Sequence, residues 1–209
     1  MEQTFKRDHA AGRLSLPAEK DIHLIPLPLV RQATNYTCGV GCCCSVLRYA
    51  GYELDVRQDE LEKMLNANYE IGTSYQEIVN YLESVTIEDD NGSYKPFSCE
   101  VGQNRDIAFL EKTILEGKPS IICIQAWDYL DDYKDEWDSG HYVVANGFDE
   151  DNIYFMDPSL LGTYGYIPKD ELDGRWHDMD GTEEFVVDHF AITVTIKRDY
   201  DVCDFYKIR

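Results

Sequence analysis

The spacing of apolar residues predicts helices in the first half of the chain. Residues 22–30 are apolar but interrupted by two prolines, and since the residue before a proline avoids helical geometry, we expect an extended segment here. After a polar loop, the stretch from Cys38 to Gly51 carries apolar or small residues on every side. A helix that is apolar all round is typically buried, so this pattern predicts a buried helix that ends at the glycine.

Three amphipathic helices are expected next. Asp55 with Gln58, and Thr73 with Gln76, have the three-residue spacing of a capping box at a helix start. A third helix is expected over residues 105–116. The residues expected to face the core are Val56, Leu61, Met64 and Leu65 in the first helix, Ile78, Val79 and Leu82 in the second, and Ile107, Leu110 and Ile114 in the third.

The pattern changes to that of strands in the second half. Strands are predicted at residues 120–127, 141–148, 152–156 and 191–197, with a further turn at 89–93. The last strand contains the alternating sequence ITVTI, which predicts burial on one face only. Helices followed by an antiparallel sheet indicate an α+β fold.

Composition and charge narrow the classes of function. With 209 residues, 44% of them apolar, the chain can bury a core, which excludes a disordered protein. Nineteen Lys and Arg against forty Asp and Glu give a net charge of −21. Such a charge repels phosphate backbones and anionic lipid, so we expect neither nucleic acid nor a membrane surface as a partner. The same charge also serves solubility.

The sequence also bears on compartment and domain organisation. No apolar run approaches the roughly 20 residues of a membrane helix, and the first twenty residues lack the apolar core of a secretory signal. Seven cysteines, three of them consecutive, make a poor disulfide framework, so we expect a cytoplasmic protein. Residues 1–20 are polar and aperiodic and are predicted to be a flexible N-terminal extension, with a single domain over residues 21–209.

Cys38 stands where a reactive thiol is expected. It follows a polar loop and begins the buried helix, where the positive end of the helix dipole and unpaired backbone N–H groups favour the thiolate. The thiolate is the nucleophilic form of cysteine. An ordinary buried cysteine explains the residue equally well when it is considered alone.

His141 and Asp157 are predicted to be neighbours. His141 begins one strand, and Asp157 follows the end of the next, sixteen positions later. Two antiparallel strands joined by a short turn bring these ends side by side, so the carboxylate can orient the imidazole. Gln32, six residues before Cys38, is a candidate oxyanion donor together with the Cys38 N–H. Loss of one such donor typically costs on the order of 100–1,000-fold in rate.

Two segments resemble a known family. RQATNYTCGVGCCCSVLRYAGY, residues 31–52, is similar to the Gln…Cys-Gly entry of the papain-like bacteriocin-processing peptidases, cysteine peptidase family thirty-nine. HYVVANGFDEDNIYFMDPS, residues 141–159, resembles the His-to-Asp strand pair of that family. The likeness runs from about residue 27 to residue 196, and residues 171–176 are similar to a helix that closes the family's sheet.

The resemblance implies a papain-like α+β fold, with the nucleophile helix packed on a C-terminal antiparallel sheet. It also implies peptide hydrolysis in a bacterial protein without a cofactor, with Cys38 as nucleophile, His141 as general base and acid, Asp157 as orienting group and Gln32 as oxyanion donor. The best-known members are N-terminal domains of peptide exporters that remove leaders ending in Gly-Gly. We expect the stand-alone branch instead, since the sequence has no membrane part or ATPase. Thr37 and the cysteines at 42–44 depart from the family pattern.

Several residues are candidates for contact with a peptide or protein substrate. Gly39 leaves room for a substrate backbone beside the thiol, and Gly140 directly precedes His141. The acidic segment 128–141, which includes Asp131, Asp132 and Trp137, is either a solvated loop or a rim that selects basic peptides. Oligomeric state is left open by the sequence.

Three other readings of these residues stay open. Cys38, Cys42 and His141 could hold zinc in an inhibited state, although we expect no metal because buried cysteine usually acts as a small hydrophobe. The Cys-His-Asp constellation could also serve an acyl transferase or amidase. A peptide-binding module with a silent triad is the third possibility.

Overall fold

The structure of the chain is a computed structural model, and it describes residues 21–51, 56–89, 92–127, 133–160, 162–180 and 185–197. The helices in these ranges are α1 (Cys38–Ala50), α2 (Gln58–Met64), α3 (Tyr75–Ser84), α4 (Ile107–Leu115) and α5 (Lys169–Arg175). The strands are β1 (His23–Leu24), β2 (Ile87–Asp89), β3 (Gly92–Tyr94), β4 (Phe97–Gly102), β5 (Ser120–Gln125), β6 (Gly140–Phe148), β7 (Asn152–Met156), β8 (Gly165–Pro168), β9 (His177–Met179), β10 (Val186–Asp188) and β11 (Ala191–Ile196).

Seven strands form one antiparallel sheet at the centre of the molecule. Its order is β4-β11-β5-β6-β7-β8, and β1 pairs with the far end of β6, where Leu24 lies opposite Gly147. β2 with β3, and β9 with β10, form two small separate hairpins. The predicted α+β class is confirmed.

Helices cover both faces of the sheet. Because side chains alternate along a strand, Tyr142 and Val144 of β6 face the core formed with α1, α2 and α3, whereas Val143 and Ala145 face the core formed with α4 and α5. Strands buried on both faces read as continuous apolar runs, which is the pattern of β5 and β6.

α1 is buried as the sequence predicts. Its cysteines at 42–44 are at most 2% exposed, and it ends at Gly51, whose positive φ of 79° is a conformation that glycine adopts without strain. The Sγ–H of Cys42 donates to the carbonyl of Tyr142 at 3.3 Å, which ties the helix to β6.

Two predicted helix starts are wrong by one or two residues. The N-cap of α2 is Arg57, and the predicted cap Asp55 lies outside the described residues. The N-cap of α3 is Ser74, whose hydroxyl accepts from the N–H of Glu77, whereas Thr73 is buried. Met64, expected in the core, is 53% exposed, because the buried face of this segment is the one that carries Leu61 and Leu65, four residues apart.

The strand predictions hold for β5, β6, β7 and β11 within two residues, but β2, β3, β4, β8, β9 and β10 were not predicted. The expectation that β11 is buried on one face only is wrong. β11 is an interior strand, and its Thr193 is 2% exposed because its hydroxyl hydrogen-bonds the hydroxyl of Ser120 at 2.9 Å.

Within the described ranges, no helix is long and apolar enough to cross a membrane. None of the six cysteines in this part of the chain forms a disulfide within it.

Candidate active site

Cys38 is the first residue of α1. The N–H of Gly41 donates to the carbonyl of Thr37 at 3.0 Å, so the backbone N–H groups of the first turn precede the helical hydrogen-bond ladder. The side chain of Thr37 makes no capping hydrogen bond to them. Cys38 is half-buried, and its thiol therefore sits at an uncapped, electropositive helix end.

The antiparallel pairing of β6 and β7 brings His141 to Asp157. His141 is the second residue of β6, and Asp157 directly follows β7. The His141 Nε2–H donates to Asp157 Oδ1 at 2.7 Å, and the imidazole is 2% exposed. The sequence prediction that these two residues are neighbours agrees with this geometry.

Asp157 is held by the loop that follows it. The N–H of Ser159 donates to Oδ1 at 2.7 Å. Burial acts to raise the pKa of Asp157, but the hydrogen bond and charge of His141, with the hydrogen bonds from Ser159, lower it below its usual value. The carboxylate is therefore ionised at neutral pH and orients the ring.

His141 contacts the thiol of Cys38 as well as the carboxylate. Because Nε2 is occupied by Asp157, Nδ1 is the ring nitrogen left for the thiol. Burial acts to lower the pKa of His141, but the hydrogen bonds and negative charges of Asp157 and Cys38 raise it to about 9. The imidazole can therefore hold a proton taken from Cys38 at neutral pH.

The other cysteines do not share this environment. Burial raises the pKa of Cys42, Cys44 and Cys99, the last to about 12, and burial together with Asp178 raises that of Cys123. These thiols stay protonated at neutral pH and are poor nucleophiles.

Gln32 lies in the loop that precedes α1, and its backbone N–H donates to the carbonyl of Pro158 at 2.9 Å, beside Asp157. Its side-chain Nε2 donates to the carbonyl of Thr34 at 2.7 Å, which uses one of its two hydrogens. Its Oε1 is buried and has no hydrogen-bond partner in the part of the chain that the structure describes. The structure thus links the Gln32 loop to the Asp157 loop.

Trp127 is a site residue that the sequence analysis missed. Its ring packs on the His141 ring with a centroid separation of 4.7 Å, yet it is 57% exposed. Its φ of 63° is unusual for a bulky residue, and such strain concentrates at functional positions. The local sequence carries no signal for this contact, because Trp127 reads as the last residue of a strand.

Two grooves adjoin at the Cys38–His141 contact. A cleft of about 1000 Å³ is lined by Trp127, His141 and Asp157 together with apolar residues of β5 to β8. A second groove of about 360 Å³ is lined by Cys38, Trp137 and Gly140. A peptide lying across the thiol would enter both grooves.

The predicted substrate contacts fall in different places. Trp137 and Gly140 line the groove that holds Cys38. Gly39 is buried, and a Cβ at this position would lie 2.9 Å from the Cβ of Thr73, so the approach of Thr73 accounts for the glycine. Asp131 and Asp132 lie outside the described residues.

Other metal and histidine candidates have structural partners. No three His, Cys, Asp or Glu side chains of the described ranges converge closely enough to hold a metal ion. His177 is buried, with Nε2 at 2.8 Å from the carbonyl of Glu136, and His189 contacts Asp188 and Asp173.

The chain is similar to known proteins in both sequence and fold. The family model described as the Peptidase_C39 like family matches residues 24–184. No curated protein matches the chain. A crystal structure of a C39-like peptidase from Bacillus anthracis superposes with a TM-score of 0.59 at 18% identity, covering 87% of this chain and 100% of that one.

Two further crystal structures come from transporter peptidases. The peptidase domain of Streptococcus ComA, a bifunctional ABC transporter, gives a TM-score of 0.54 at 17% identity over 81% of this chain and 98% of that domain. A double glycine motif protease from an AMS/PCAT transporter, solved with its leader peptide, gives 0.52 at 15% identity over 83% and 94%. These similarities confirm the papain-like α+β fold that the resemblance implied.

Proposed function

Because the chain belongs to the C39-like peptidase family, we propose that it hydrolyses peptide bonds with Cys38 as nucleophile, His141 as general base and acid, and Asp157 as the orienting carboxylate. The observation that carries the proposal is the continuous contact from the thiol through His141 to Asp157. The three groups are arranged as nucleophile, base and orienter, which is the order that acyl transfer requires.

The reaction begins with proton transfer from the Cys38 thiol to His141 Nδ1. The thiolate attacks the carbonyl carbon of the substrate, and the C–S bond forms as the carbonyl oxygen takes the negative charge. Collapse of this intermediate breaks the C–N bond, and His141 gives its proton to the leaving amine. Asp157 keeps the imidazole in the tautomer and orientation that both transfers need.

Hydrolysis of the thioester completes the cycle. His141 removes a proton from water as the oxygen attacks the thioester carbonyl, and the C–S bond breaks. The thiolate leaves, the second product is a carboxylic acid, and Cys38 with His141 returns to its starting state. No oxidant or cofactor enters this sequence.

Oxyanion stabilisation is assigned to the loop before α1. The N–H of Cys38 lies at the uncapped end of the helix, and Gln32 retains one amide hydrogen that its bond to Thr34 does not use. Donors of this kind act where charge develops in the transition state. The hydrogen bond between Gln32 N–H and Pro158 O supports a fixed position of this loop relative to Asp157.

The proposed substrate is a peptide, and the proposed compartment is the cytoplasm. One structural neighbour was solved with a leader peptide, which supports a peptide substrate in a protein of the same fold. The cysteine content of the sequence, seven residues of which three are consecutive, supports a reducing compartment.

The test uses the purified full-length protein and a pool of peptides derived from a whole proteome, with cleavage sites read by mass spectrometry. We expect cleavage by the wild type and a loss of at least about 1,000-fold in Cys38→Ala. Cys99→Ala is the matched control, because it removes a half-buried thiol far from His141 in the fold, and it should retain turnover.

Product analysis in the presence of an added amine separates hydrolysis from acyl transfer, since transfer yields an amide conjugate of the acyl half. Unchanged turnover in a folded Cys38→Ala protein would contradict the assignment of the nucleophile. Peptide binding by both proteins without turnover by the wild type would instead identify a binding module.

A further inference from the structure

The groove that holds Cys38 is lined by carboxylates. Four acidic residues face it, and its described lining contains no Lys, Arg or His. These residues are Glu70, Asp138, Asp178 and Asp180. They come from three separate parts of the chain, and they are spread along the groove without converging on a metal-sized point in the described residues. The groove therefore presents a negative lining on the side of the nucleophile.

Asp178 is more enclosed than the other three carboxylates, and its side-chain hydrogen-bond donors are neutral groups. Its Oδ2 accepts from the Cys123 thiol at 2.9 Å, and its Oδ1 accepts from Gln125 Nε2 at 3.0 Å. Burial raises the pKa of Asp178 more than its hydrogen bonds and the charge of His177 lower it, and no lysine or arginine of the described residues adds to the lowering. A cation in the groove would stabilise this charge, because a partly buried carboxylate gains most from an opposite charge.

The groove is shaped to admit the Asp178 carboxylate. The carboxylate occupies the place that a Cβ would take at Gly140, so glycine is required directly before His141. Asp180 is also held, since the N–H of Tyr75 donates to its Oδ1 at 3.2 Å and the Tyr142 hydroxyl hydrogen-bonds it. Carboxylates fixed by hydrogen bonds are better suited to binding a ligand than carboxylates on mobile, solvated side chains.

Aromatic rings stand beside the carboxylates. Tyr69 is 76% exposed and Trp137 is 39% exposed, and both line the groove together with Tyr36. Exposed aromatic faces next to carboxylates attract the ammonium of lysine and the guanidinium of arginine through their ring quadrupoles. A neutral or acidic side chain would lack the charge attraction to the carboxylates and to the ring faces.

A buried hydroxyl in the same groove has no hydrogen-bond partner among the residues that the structure describes. It is Oγ1 of Thr73, which lines the groove and is 4% exposed. Buried polar groups are almost always paired, so an orphaned hydroxyl beside the nucleophile helix points to a polar ligand that completes it. This observation is independent of the charge of the lining.

From these features we infer that the groove beside Cys38 is a subsite for a lysine or arginine side chain of the peptide substrate, close to the bond that is cut. The inference rests on the proposed peptidase function and adds the class of substrate. It places the selection of basic peptides on Asp178, Asp180, Glu70 and Asp138. Of these, only Asp138 belongs to the acidic segment 128–141.

The first experiment measures cleavage of internally quenched peptide pools. In each pool one position near the centre is fixed as Lys, norleucine or Glu and the other positions are randomised, and the fixed position is moved along the peptide. We expect kcat/KM to be about tenfold higher with Lys than with norleucine at one position, and lower still with Glu. The preference should shrink as NaCl is raised, since exposed charges are screened.

Variants locate the preference in the groove. Asp178→Asn keeps the shape and the acceptor oxygen, and should reduce the Lys-to-norleucine ratio by about threefold or more. The double variant Glu70→Gln with Asp138→Asn changes only exposed side chains. It tests the same preference if Asp178→Asn does not fold. Asp170→Asn, an exposed acid of α5 outside the groove lining, removes the same charge and should leave the ratio unchanged.

The outcomes separate the two proposals. Two results would overturn the cationic subsite and leave the peptidase proposal standing. The first is cleavage that depends on Cys38 but shows no preference for Lys. The second is a preference for Lys that no groove variant reduces. If no pool is cleaved, the peptidase proposal fails, and the subsite is judged from Cys38 labelling by cationic and anionic methanethiosulfonate reagents. A cation-to-anion rate ratio at Cys38 no higher than that of free cysteine in the same buffer would then overturn it.

Discussion

At the residue scale, the Trp127 ring packs against His141, the proposed general base, with the two ring planes tilted by 48°. The ring covers an imidazole that already contacts Cys38 and Asp157, and it does so from a backbone with positive φ. We assign Trp127 as a positioning residue, because it acts through His141. Alanine carries the same backbone strain as tryptophan at this φ, so Trp127→Ala isolates the contribution of the ring.

We expect Trp127→Ala to lower kcat/KM about tenfold and to move the alkaline limb of the pH–rate profile to lower pH. Burial lowers the pKa of His141, so added water by itself would raise it. We expect the opposite effects to outweigh this, because water weakens the interactions with Asp157 and Cys38 that raise the pKa, and the ring no longer stabilises the imidazolium. Trp127→Phe retains a ring and should restore most of the wild-type profile. An alkaline limb that does not move in Trp127→Ala would contradict this role.

The raised pKa of His141 also predicts how stability depends on pH. The group titrates near 9 when folded and near 6.5 when unfolded, so its stabilisation is fully present below pH 6.5 and is lost as pH rises through 9. The size of this contribution is on the order of 3 kcal/mol. The contribution of Asp157 to stability depends on pH in the opposite direction. Its pKa is lowered in the folded protein, so the contribution is present above the usual pKa of an aspartate and is lost as pH falls through the lowered value.

Urea unfolding at pH 6 and pH 9.5 measures this contribution. We expect the free energy of unfolding to fall between the two values by several kcal/mol in the wild type and by clearly less in His141→Gln. Buried cysteines with raised pKa values destabilise both proteins at high pH, so the difference between the proteins is the informative quantity. His23→Gln, in exposed β1, is the control, and its free energy of unfolding should fall by as much as that of the wild type. Equal losses in His141→Gln and wild type would contradict the prediction.

At the scale of elements, the contact between α1 and the loop after β7 sets the position of the nucleophile relative to Asp157. Gly41 of α1 faces Pro158, and a Cβ at Gly41 would lie 2.8 Å from the Cβ of Pro158. The glycine therefore has a packing reason, since it lets the helix approach the residue next to Asp157. This approach brings Cys38 and the strand ends to one place.

Gly41→Ala should destabilise the protein by about 1–2 kcal/mol and reduce turnover, because the cost of overpacking exceeds the gain in helix propensity. Gly174→Ala in α5 is the matched control, since its added Cβ meets no other part of the described structure within 4 Å, its own helix backbone and chain neighbours aside. It should be neutral or stabilising by up to about 1 kcal/mol, with unchanged turnover. Thermal unfolding and peptide cleavage measure both. Equal stability and turnover in the two variants would show that the contact with Pro158 is not tight.

At the scale of the whole molecule, one sheet shared by two cores supports a single cooperative unit, and we propose that residues 21–209 form one domain. The first described segment belongs to this unit. Ile25, Leu27 and Val30 are each at most 4% exposed, and the N–H of Ile25 donates to the carbonyl of Asn146 at 2.7 Å.

A chain that begins at residue 21 should therefore unfold in one transition within about 2 °C of the full-length protein and keep its turnover. A chain that begins at residue 31 retains Gln32 and Cys38 but loses three buried side chains. At about 1.5–3 kcal/mol each, this loss approaches the whole stability of a typical domain. Calorimetry and circular dichroism measure both truncations. A cooperative fold in the second truncation, or loss of the fold in the first, would contradict the proposed boundary.

The sequence by itself determined the parts of the site that depend on residues close together in the chain. A buried helix that begins at Cys38 follows from local apolar pattern, and the contact of His141 with Asp157 follows from two strands and one short turn. Antiparallel pairing across a short turn leaves little freedom of register, so spacing alone was enough. The family resemblance rested on these same segments.

Only the tertiary structure decided what depends on distant segments. The capping spacing occurs twice in TSYQE, residues 73–77: once in Thr73 with Gln76 and once in Ser74 with Glu77. Thr73 packs on Gly39, so Ser74 is the residue that caps the helix. The Trp127 contact and the placement of Asp178 beside Cys38 join residues far apart in sequence. Local patterns carry propensity and burial, whereas these contacts depend on how strands and helices stack, which no local pattern encodes.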